Sequence, residues 1–116
     1  MSTEDIITLD VGGTVVRTLR ATLTKQPGSE LARIFEADSA DVSPAVLQDD
    51  GSFFLDTDPA AFRVVLNFLR YNTLILQPNV PAGAVQVIAE TFGLGRVRDI
   101  ATRGMRVMLL VKSGWK

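Results

Sequence analysis

Two carboxylates, Asp56 and Asp58, stand two residues apart near the middle of the chain and are its most suggestive pair for chemistry. Glycoside hydrolases use such a pair as general acid and as nucleophile or base. Asp58, however, immediately precedes Pro59, and an acceptor side chain followed by proline is a typical start of a helix. We therefore interpret Asp58 as a helix cap and expect no hydrolytic site here.

The chain contains no cysteine and no histidine. Their absence excludes disulfides, zinc sites of the Cys/His kind and every catalytic arrangement that depends on histidine. A serine nucleophile would then need a lysine as its base, and Lys25, Lys112 and Lys116 have no catalytic motif around them. We expect a protein that is not an enzyme and that carries no cofactor or metal.

Two glycine pairs and an acidic segment are the remaining candidates for ligand sites. Gly12-Gly13 lacks the Gly-Lys-Ser/Thr ending of a phosphate-binding loop, so a hairpin turn is the favoured interpretation. Gly93 and Gly95 begin a dinucleotide-like pattern without a preceding strand or a third glycine. Residues 36–50 contain five acids and no base, but not the spacing of a calcium loop. We predict that they form an exposed acidic loop.

Hydrophobic alternation and turn residues predict the elements before Asp56. Ile7, Leu9 and Val11 share one face of a strand, and Ser29 is placed to cap a helix. The predicted order is a hairpin with strands at 6–11 and 15–18, helices at 21–25 and 30–35, the acidic loop with a marginal apolar patch at 45–47, a turn at 49–51 and a buried strand at 52–55.

The helix predicted from Pro59 carries two different faces. Apolar residues at helical spacing predict a buried face: Phe62, Val65, Leu66 and Leu69. Polar residues recur on another face, which we name the basic stripe: Arg63, Asn67 and Arg70. This stripe is either an ordinary solvated surface or the contact for a polar partner, and the spacing alone does not distinguish them.

The second half of the chain continues the alternation of strands and helices. We predict a strand at 74–76, a helix at 82–92 ended by Gly93, and a short helix at 97–103. The run at 105–112 fits either a strand or a helical extension. This order predicts a small mixed α/β (α+β) domain in which helices cover a modest sheet.

The 116 residues carry a net charge of only −1, but the charge is unevenly distributed. Residues 1–58 hold eleven acids against four bases, whereas residues 59–116 hold two acids against eight bases. The basic run Arg96, Arg98, Arg103 and Arg106 lacks interleaved aromatics, so we expect no nucleic-acid partner. No apolar run approaches the roughly 20 residues of a membrane helix and no signal peptide is apparent, so we expect a cytoplasmic protein without membrane insertion.

These residues together resemble the BTB/POZ fold of the potassium-channel tetramerisation (T1) class, and the KCTD proteins in particular. The matching stretches are Ile7-x-Leu9-Asp10-Val11-Gly12-Gly13-Thr14, Thr18 with Thr22-Leu23, Pro27-x-Ser29-x-Leu31 with Phe35, Asp50-x-x-x-Phe54-Leu55-Asp56-x-Asp58-Pro59-x-x-Phe62, Leu66-Asn67-x-Leu69-Arg70, and Glu90-x-Phe92-Gly93-Leu94. The resemblance spans about residues 6–95. It implies a domain at 6–104 between a flexible N-terminus at 1–5 and a C-terminal extension at 105–116.

Three positions depart from the pattern of that family. Asp10 stands where asparagine is usual, Val16 where an aromatic is usual, and Thr57 where arginine is usual. The zinc ligands of many channel T1 domains have no counterpart in a chain without histidine and cysteine. The resemblance therefore implies the zinc-free KCTD type or a zinc-free channel subtype.

The resemblance implies a non-enzymatic module that assembles with itself into a ring of four or five protomers through head-to-tail polar contacts. The charge split supports this independently, because a head-to-tail contact joins two different surfaces of one protomer. The residues implied for the contact are Asp10, Asp56, Thr57, Asp58, Arg63, Asn67 and Arg70. Those implied to maintain the fold are Gly12, Gly13, Pro59 and Phe62.

Many KCTD proteins present their ring to cullin-3 as substrate adaptors of a ubiquitin ligase, and the resemblance extends this expectation to the present chain. The surface implied for cullin-3 includes Phe35, Tyr71, Asn72 and Thr73. The alternative is the zinc-free cytoplasmic assembly domain of a voltage-gated potassium channel.

Overall fold

The computed structural model of the chain describes residues 5–95, residue 97 and residues 107–109. It divides the chain into two compact units, the first ending at Pro59 and the second starting at Ala60. Apart from Val97, the helix predicted at 97–103 lies outside the described residues. Most of the extension predicted at 105–116 and nearly all of the segment 1–5 also lie outside them.

The first unit begins with the predicted hairpin. Strand β1 (Ile6–Val11) pairs antiparallel with β2 (Thr14–Leu19), so that Val11 lies opposite Thr14 across a two-residue turn. Both glycines of the turn have positive φ, +55° at Gly12 and +99° at Gly13, which is the backbone that such a tight turn requires. The Asp10 carboxylate accepts a hydrogen bond of 2.8 Å from the Gly13 N–H and fixes the turn.

Two further strands complete a four-stranded sheet in the order β2-β1-β4-β3. Strand β4 (Phe53–Leu55) pairs parallel with β1, with Leu9 opposite Phe53. Strand β3 (Val46–Leu47) pairs antiparallel with β4 at the edge. The prediction of 36–50 as loop throughout was therefore wrong at 46–47, because two residues are too few for alternation to reveal a strand.

The turn between β3 and β4 follows from the predicted Asp49-Asp50-Gly51 signal. The Gly51 N–H donates to the Gln48 carbonyl at 3.0 Å, and the Gln48 N–H donates to the Ser52 carbonyl at 2.8 Å. Gly51 adopts φ +90°. This is a three-residue hairpin loop closed by a glycine bulge, in which a side chain at the bulge position would be strained.

Two short helices pack in the same unit. Helix α1 (Arg20–Leu23) is shorter than predicted, whereas α2 (Glu30–Phe35) has the predicted bounds. The Ser29 hydroxyl accepts a hydrogen bond of 3.0 Å from the Ala32 N–H and is the predicted cap. The Phe35 ring packs edge-on against Phe53, with ring centroids 5.1 Å apart. Helix α2 therefore covers the face of the sheet that carries Phe53, which we name the inner face.

The second unit contains the remaining elements, except for Pro59, the first residue of α3. Helix α3 (Pro59–Tyr71) starts at the predicted proline and leads to β5 (Leu74–Leu76) and α4 (Ala82–Thr91). Strand β6 (Val107–Leu109) pairs parallel with β5, so a part of the run at 105–112 is a strand. The rings of Phe62 and Phe92 pack edge-on at 6.0 Å between centroids and join α3 to the segment after α4.

Replacing Gly12 should destabilise the fold severely. A Cβ at Gly12 would lie 2.6 Å from the Thr57 carbonyl oxygen, and φ is +55° there. We expect Gly12→Ala to lower the free energy of unfolding by about 2–4 kcal/mol, measured by urea denaturation. The matched control is Gly83→Ala in α4, where a Cβ meets nothing within 4 Å. That variant should be neutral or stabilising by about 0.5 kcal/mol; equal losses in both variants would contradict the steric argument.

Candidate functional site

The basic stripe is the polar side of helix α3, beside its buried apolar side. On α3 the predicted apolar face is buried, and Ala61, Val64 and Phe68 are buried beside it. Arg63 is exposed and makes no ion pair within the described part of the chain, whereas Asn67 and Arg70 are half-buried. The Arg70 guanidinium donates a hydrogen bond of 3.1 Å to the Asn67 side-chain oxygen. The stripe is therefore partly ordered before any partner binds.

A small cleft of about 140 Å³ opens beside the stripe within the second unit. Its polar rim combines two stripe residues, Arg63 and Asn67, with Gln77 and Asn79 from the segment after β5. Ala60, Val64 and Val80 complete its apolar lining. One guanidinium and three carboxamides suit a carboxylate, because guanidinium and amide N–H groups donate to its oxygens.

Gln77 and Asn79 are not predicted as site residues by any pattern in the sequence. They lie in a Pro-containing loop whose composition indicates only a turn, and no spacing relates them to Arg63 and Asn67. Only the folding of the loop back along α3 brings the four side chains to one cleft.

Acidic residues of the first unit gather at one end of the sheet. Because β1 and β4 run parallel, Asp10 near the end of β1 and Asp56 just after β4 lie at the same end. The Gly12 N–H donates to the Leu55 carbonyl at 2.9 Å and holds these ends together. Asp56 and Asp58 are exposed, and Thr57 is half-buried. The structure thus brings Asp10, Asp56 and Asp58 to one end of the first unit, which we name the acidic rim.

The sheet also has an outer face, opposite the inner face that α2 covers. Cross-strand partners share a face, so Val15, Asp10, Phe54 and Val46 form a row across all four strands. Ile6 and Leu19 form a second pair on this face. The exposed fractions are high for apolar side chains: Ile6 57%, Val15 66%, Leu19 41% and Val46 56%. Exposed apolar side chains grouped on one face of a sheet can serve as a protein contact.

The residues implied for cullin-3 separate into exposed and buried members. Tyr71 and Asn72 at the end of α3 are exposed, with Asn72 at φ +59°, and Thr73 is half-buried. Phe35 is only 1% exposed and packs on Phe53. Its ring is part of the core rather than of a surface, so the expectation for Phe35 must be restricted to a supporting role.

Residues 36–50 are anchored by one arginine. The Arg33 guanidinium donates to the Asp41 carbonyl at 2.7 Å and to the Ser43 carbonyl at 2.5 Å, and it forms an ion pair of 2.6 Å with Glu30. The hydrogen bond from Arg33 lowers the pKa of Glu30. Hydrogen bonds from the Ser43 N–H and hydroxyl lower the pKa of Asp41. The segment is therefore fixed at both its backbone and its carboxylates.

Two classes of site have no candidate within the residues that the structure describes. No group of three or more His, Cys, Asp or Glu side chains is placed to hold a metal ion. No described helix is long and apolar enough to cross a bilayer.

The Asp50 carboxylate provides a test of the β3–β4 turn. Its pKa is lowered first by the Ser52 hydroxyl, which donates at 2.6 Å, and then by the Ser52 N–H at 3.0 Å. We expect Ser52→Ala to raise the pKa of Asp50 towards its ordinary value, measured by NMR titration of the carboxyl carbon. The pKa of Asp41, which depends on Ser43, should not move and is the internal control.

The same variant should change the acid sensitivity of the protein. A lowered folded-state pKa contributes stability at neutral pH, which is lost as the pH falls through that pKa. With this contribution weakened in Ser52→Ala, the free energy of unfolding should fall less on acidification below about pH 4. An unchanged titration of Asp50 would show that its hydroxyl partner is unimportant.

Comparisons with known proteins place this architecture in a family. The model of the BTB/POZ domain (BTB_2) matches residues 7–97. The human BTB/POZ domain-containing protein KCTD17 is 34% identical over 93 residues, which is 77% of this chain and 27% of that protein. Human KCTD5 is 34% identical over 88 residues, 76% of this chain and 37% of that protein.

A third relative is not named as a KCTD protein. The mouse potassium channel regulatory protein is 37% identical over 76 residues, which is 66% of this chain and 27% of that protein. This chain therefore spans about a third of the length of the curated relatives that it matches. The mixed α+β architecture, the motifs and the match over residues 7–97 agree, and the chain belongs to the BTB/POZ family of protein-interaction and oligomerisation domains.

Proposed function

We propose that this chain assembles with itself into a closed ring of four or five protomers. In each contact, the cleft and basic stripe of one protomer receive carboxylates from the acidic rim of the next. The observation that carries the proposal is the cleft itself, where an exposed Arg63 without an ion pair among the described residues is surrounded by three carboxamides. BTB/POZ domains generally self-associate, which supports the proposal at the level of the family.

The charge distribution along the chain favours a contact between its two halves. The half of the chain up to Asp58 has a balance of −7 and the half from Pro59 has a balance of +6. Identical surfaces would repel each other, whereas the acidic half of one protomer attracts the basic half of another. A contact between two different surfaces is heterologous and closes into a ring when the rotation between protomers permits it.

A stable contact also needs apolar area, and we assign this role to the outer face of the sheet. Charged pairs at the rim of an interface mainly set orientation and association rate, whereas buried apolar side chains provide most of the affinity. Ile6, Val15 and Leu19 are exposed on the outer face of the same unit as the acidic rim. In the proposed ring these side chains pack against the adjacent protomer.

Reversing the charge of the stripe should disassemble the ring. We expect Arg63→Glu or Arg70→Glu to weaken association by more than about tenfold and to shift native mass spectra towards monomer. Lys25→Glu is the matched control, because Lys25 is an exposed cation of the first unit outside the proposed contact. Asp56→Arg combined with Arg63→Glu should restore assembly if the two side chains meet. An unchanged oligomer mass in both stripe variants would refute the contact.

The proposal extends to cullin-3, through the exposed end of α3. Tyr71 is 62% exposed, and Asn72 and Thr73 follow it in a turn at the surface. Large exposed aromatic side chains are frequent anchors of protein interfaces. The KCTD resemblance makes the cullin-3 amino-terminal domain the partner to test, in a substrate adaptor of a ubiquitin ligase.

A pull-down with purified cullin-3 amino-terminal domain tests this extension. We expect the wild-type chain to be retained and Tyr71→Ala to lose at least about tenfold in affinity. Val87→Ala is the control, because Val87 is 60% exposed on α4 and lies outside the proposed surface. If the wild-type chain is not retained, the chain is an assembly module without this partner.

The second candidate function is assembly with potassium-channel subunits. The match to a protein named potassium channel regulatory protein favours it specifically. Mixing the chain with a zinc-free channel T1 domain separates the two candidates, since mixed oligomers in native mass spectra support the channel role.

A further inference from the structure

Strand β3 is an edge of the four-stranded sheet with an open side. In the order β2-β1-β4-β3 it pairs with β4 alone, and no other strand in the described part of the chain joins it. Its two side chains are both largely exposed, Val46 by 56% and Leu47 by 58%. Val46 lies on the outer face and Leu47 on the inner face, because successive residues of a strand alternate.

The backbone of Leu47 points to that open side. In an antiparallel pair, the N–H and C=O of successive residues point alternately towards and away from the partner strand. The Gln48 N–H donates at 2.8 Å to the carbonyl of Ser52, which immediately precedes β4, so the adjacent Leu47 N–H and C=O point away from β4. An exposed donor and acceptor of this kind form a template for an additional strand.

Both ends of β3 are held in place before any partner arrives. On its C-terminal side, the Gln48 side-chain amide donates to the Ser52 hydroxyl at 2.7 Å, and that hydroxyl donates to Asp50 at 2.6 Å. On its N-terminal side, Arg33 holds the carbonyls of Asp41 and Ser43. Such an edge binds an extended chain with little ordering of its own backbone.

The charge around β3 selects the occupant. Residues 36–50 carry five acids and no base: Glu36, Asp38, Asp41, Asp49 and Asp50. Two copies of this edge would place like charges together, and charged, short edge strands are a known protection against such self-pairing. The same charges attract a basic strand. They therefore favour a basic partner over a second copy of the acidic edge.

We propose that β3 is a docking edge for an extended segment of another protein that alternates apolar and basic side chains. The segment adds to the sheet through hydrogen bonds with the Leu47 N–H and C=O. Its apolar side chains contact Val46 or Leu47, and its basic side chains approach the acidic segment. None of its residues belongs to the basic stripe, to the acidic rim or to the residues implied for cullin-3, and its test does not require the proposed ring.

A synthetic hexapeptide that alternates lysine and valine, blocked at both ends, is the probe. We expect it to slow hydrogen exchange of the Leu47 amide in the intact chain by at least about tenfold at saturation. A hexapeptide of alternating glutamate and valine should have no effect. The lysine–valine peptide with N-methylated backbone on its pairing side should also fail, since it keeps charge and side chains but loses the hydrogen bonds.

Charge variants of the protein provide a second test of the docking edge. Asp49→Lys should weaken binding of the lysine–valine peptide by about tenfold at low salt. Asp49 is exposed and makes none of the turn hydrogen bonds that Asp50 makes. Glu90→Lys, the same change at an exposed position of α4, is the matched control and should bind like the wild type.

Three outcomes would overturn the proposal. The first is unchanged exchange at Leu47 in millimolar lysine–valine peptide. The second is equal protection by the glutamate peptide, which would mean that the acidic segment does not select the partner. The third is a Leu47 amide that is already slow in the protein alone and becomes fast on dilution, which would make a second copy of the chain the occupant.

Discussion

The parallel pairing of β1 with β4 is the contact on which the first unit depends. It joins two hairpins that are separated by 26 residues of chain, and it aligns Asp10 with Phe54 and Val11 with Leu55. The Gly12 N–H extends the ladder by its 2.9 Å bond to Leu55. That approach leaves no room for a side chain at Gly12, because the Thr57 carbonyl occupies the position of a Cβ. The close approach of the backbone therefore explains why glycine stands at position 12, and no phosphate-binding motif is needed to explain it.

The same pairing determines what the sheet presents to its surroundings. With Leu9 and Phe53 side by side, α2 packs Phe35 onto the inner face and the opposite face remains exposed. The apolar residues of that outer face and the acidic rim at the ends of β1 and β4 both belong to the first unit. An acidic rim of this kind suits a basic surface on a second protomer better than the identical acidic rim of that protomer.

Helix α3 contributes a small polar surface, the basic stripe, to a site that suits a carboxylate. Seven of its thirteen residues are buried, and the basic stripe provides the polar part of its remaining surface. Since the loop after β5 adds Gln77 and Asn79, the stripe becomes one wall of a cleft rather than a flat solvated surface. A carboxylate in such a cleft meets several donors at once, which gives direction as well as attraction.

The sequence by itself determined the hairpin, the Ser29 cap, the start of α3 at Pro59, the charge split and the family, because each rests on neighbouring residues or on fixed spacings. Only the tertiary structure decided that Val46–Leu47 is a strand, that Phe35 is core, and that Arg33 anchors the acidic segment. It also decided which side chains join Arg63 in the cleft. The physical reason is the same in each case. A two-residue strand, a buried ring and a convergent cleft depend on contacts between residues far apart in the chain, which local periodicity does not reveal.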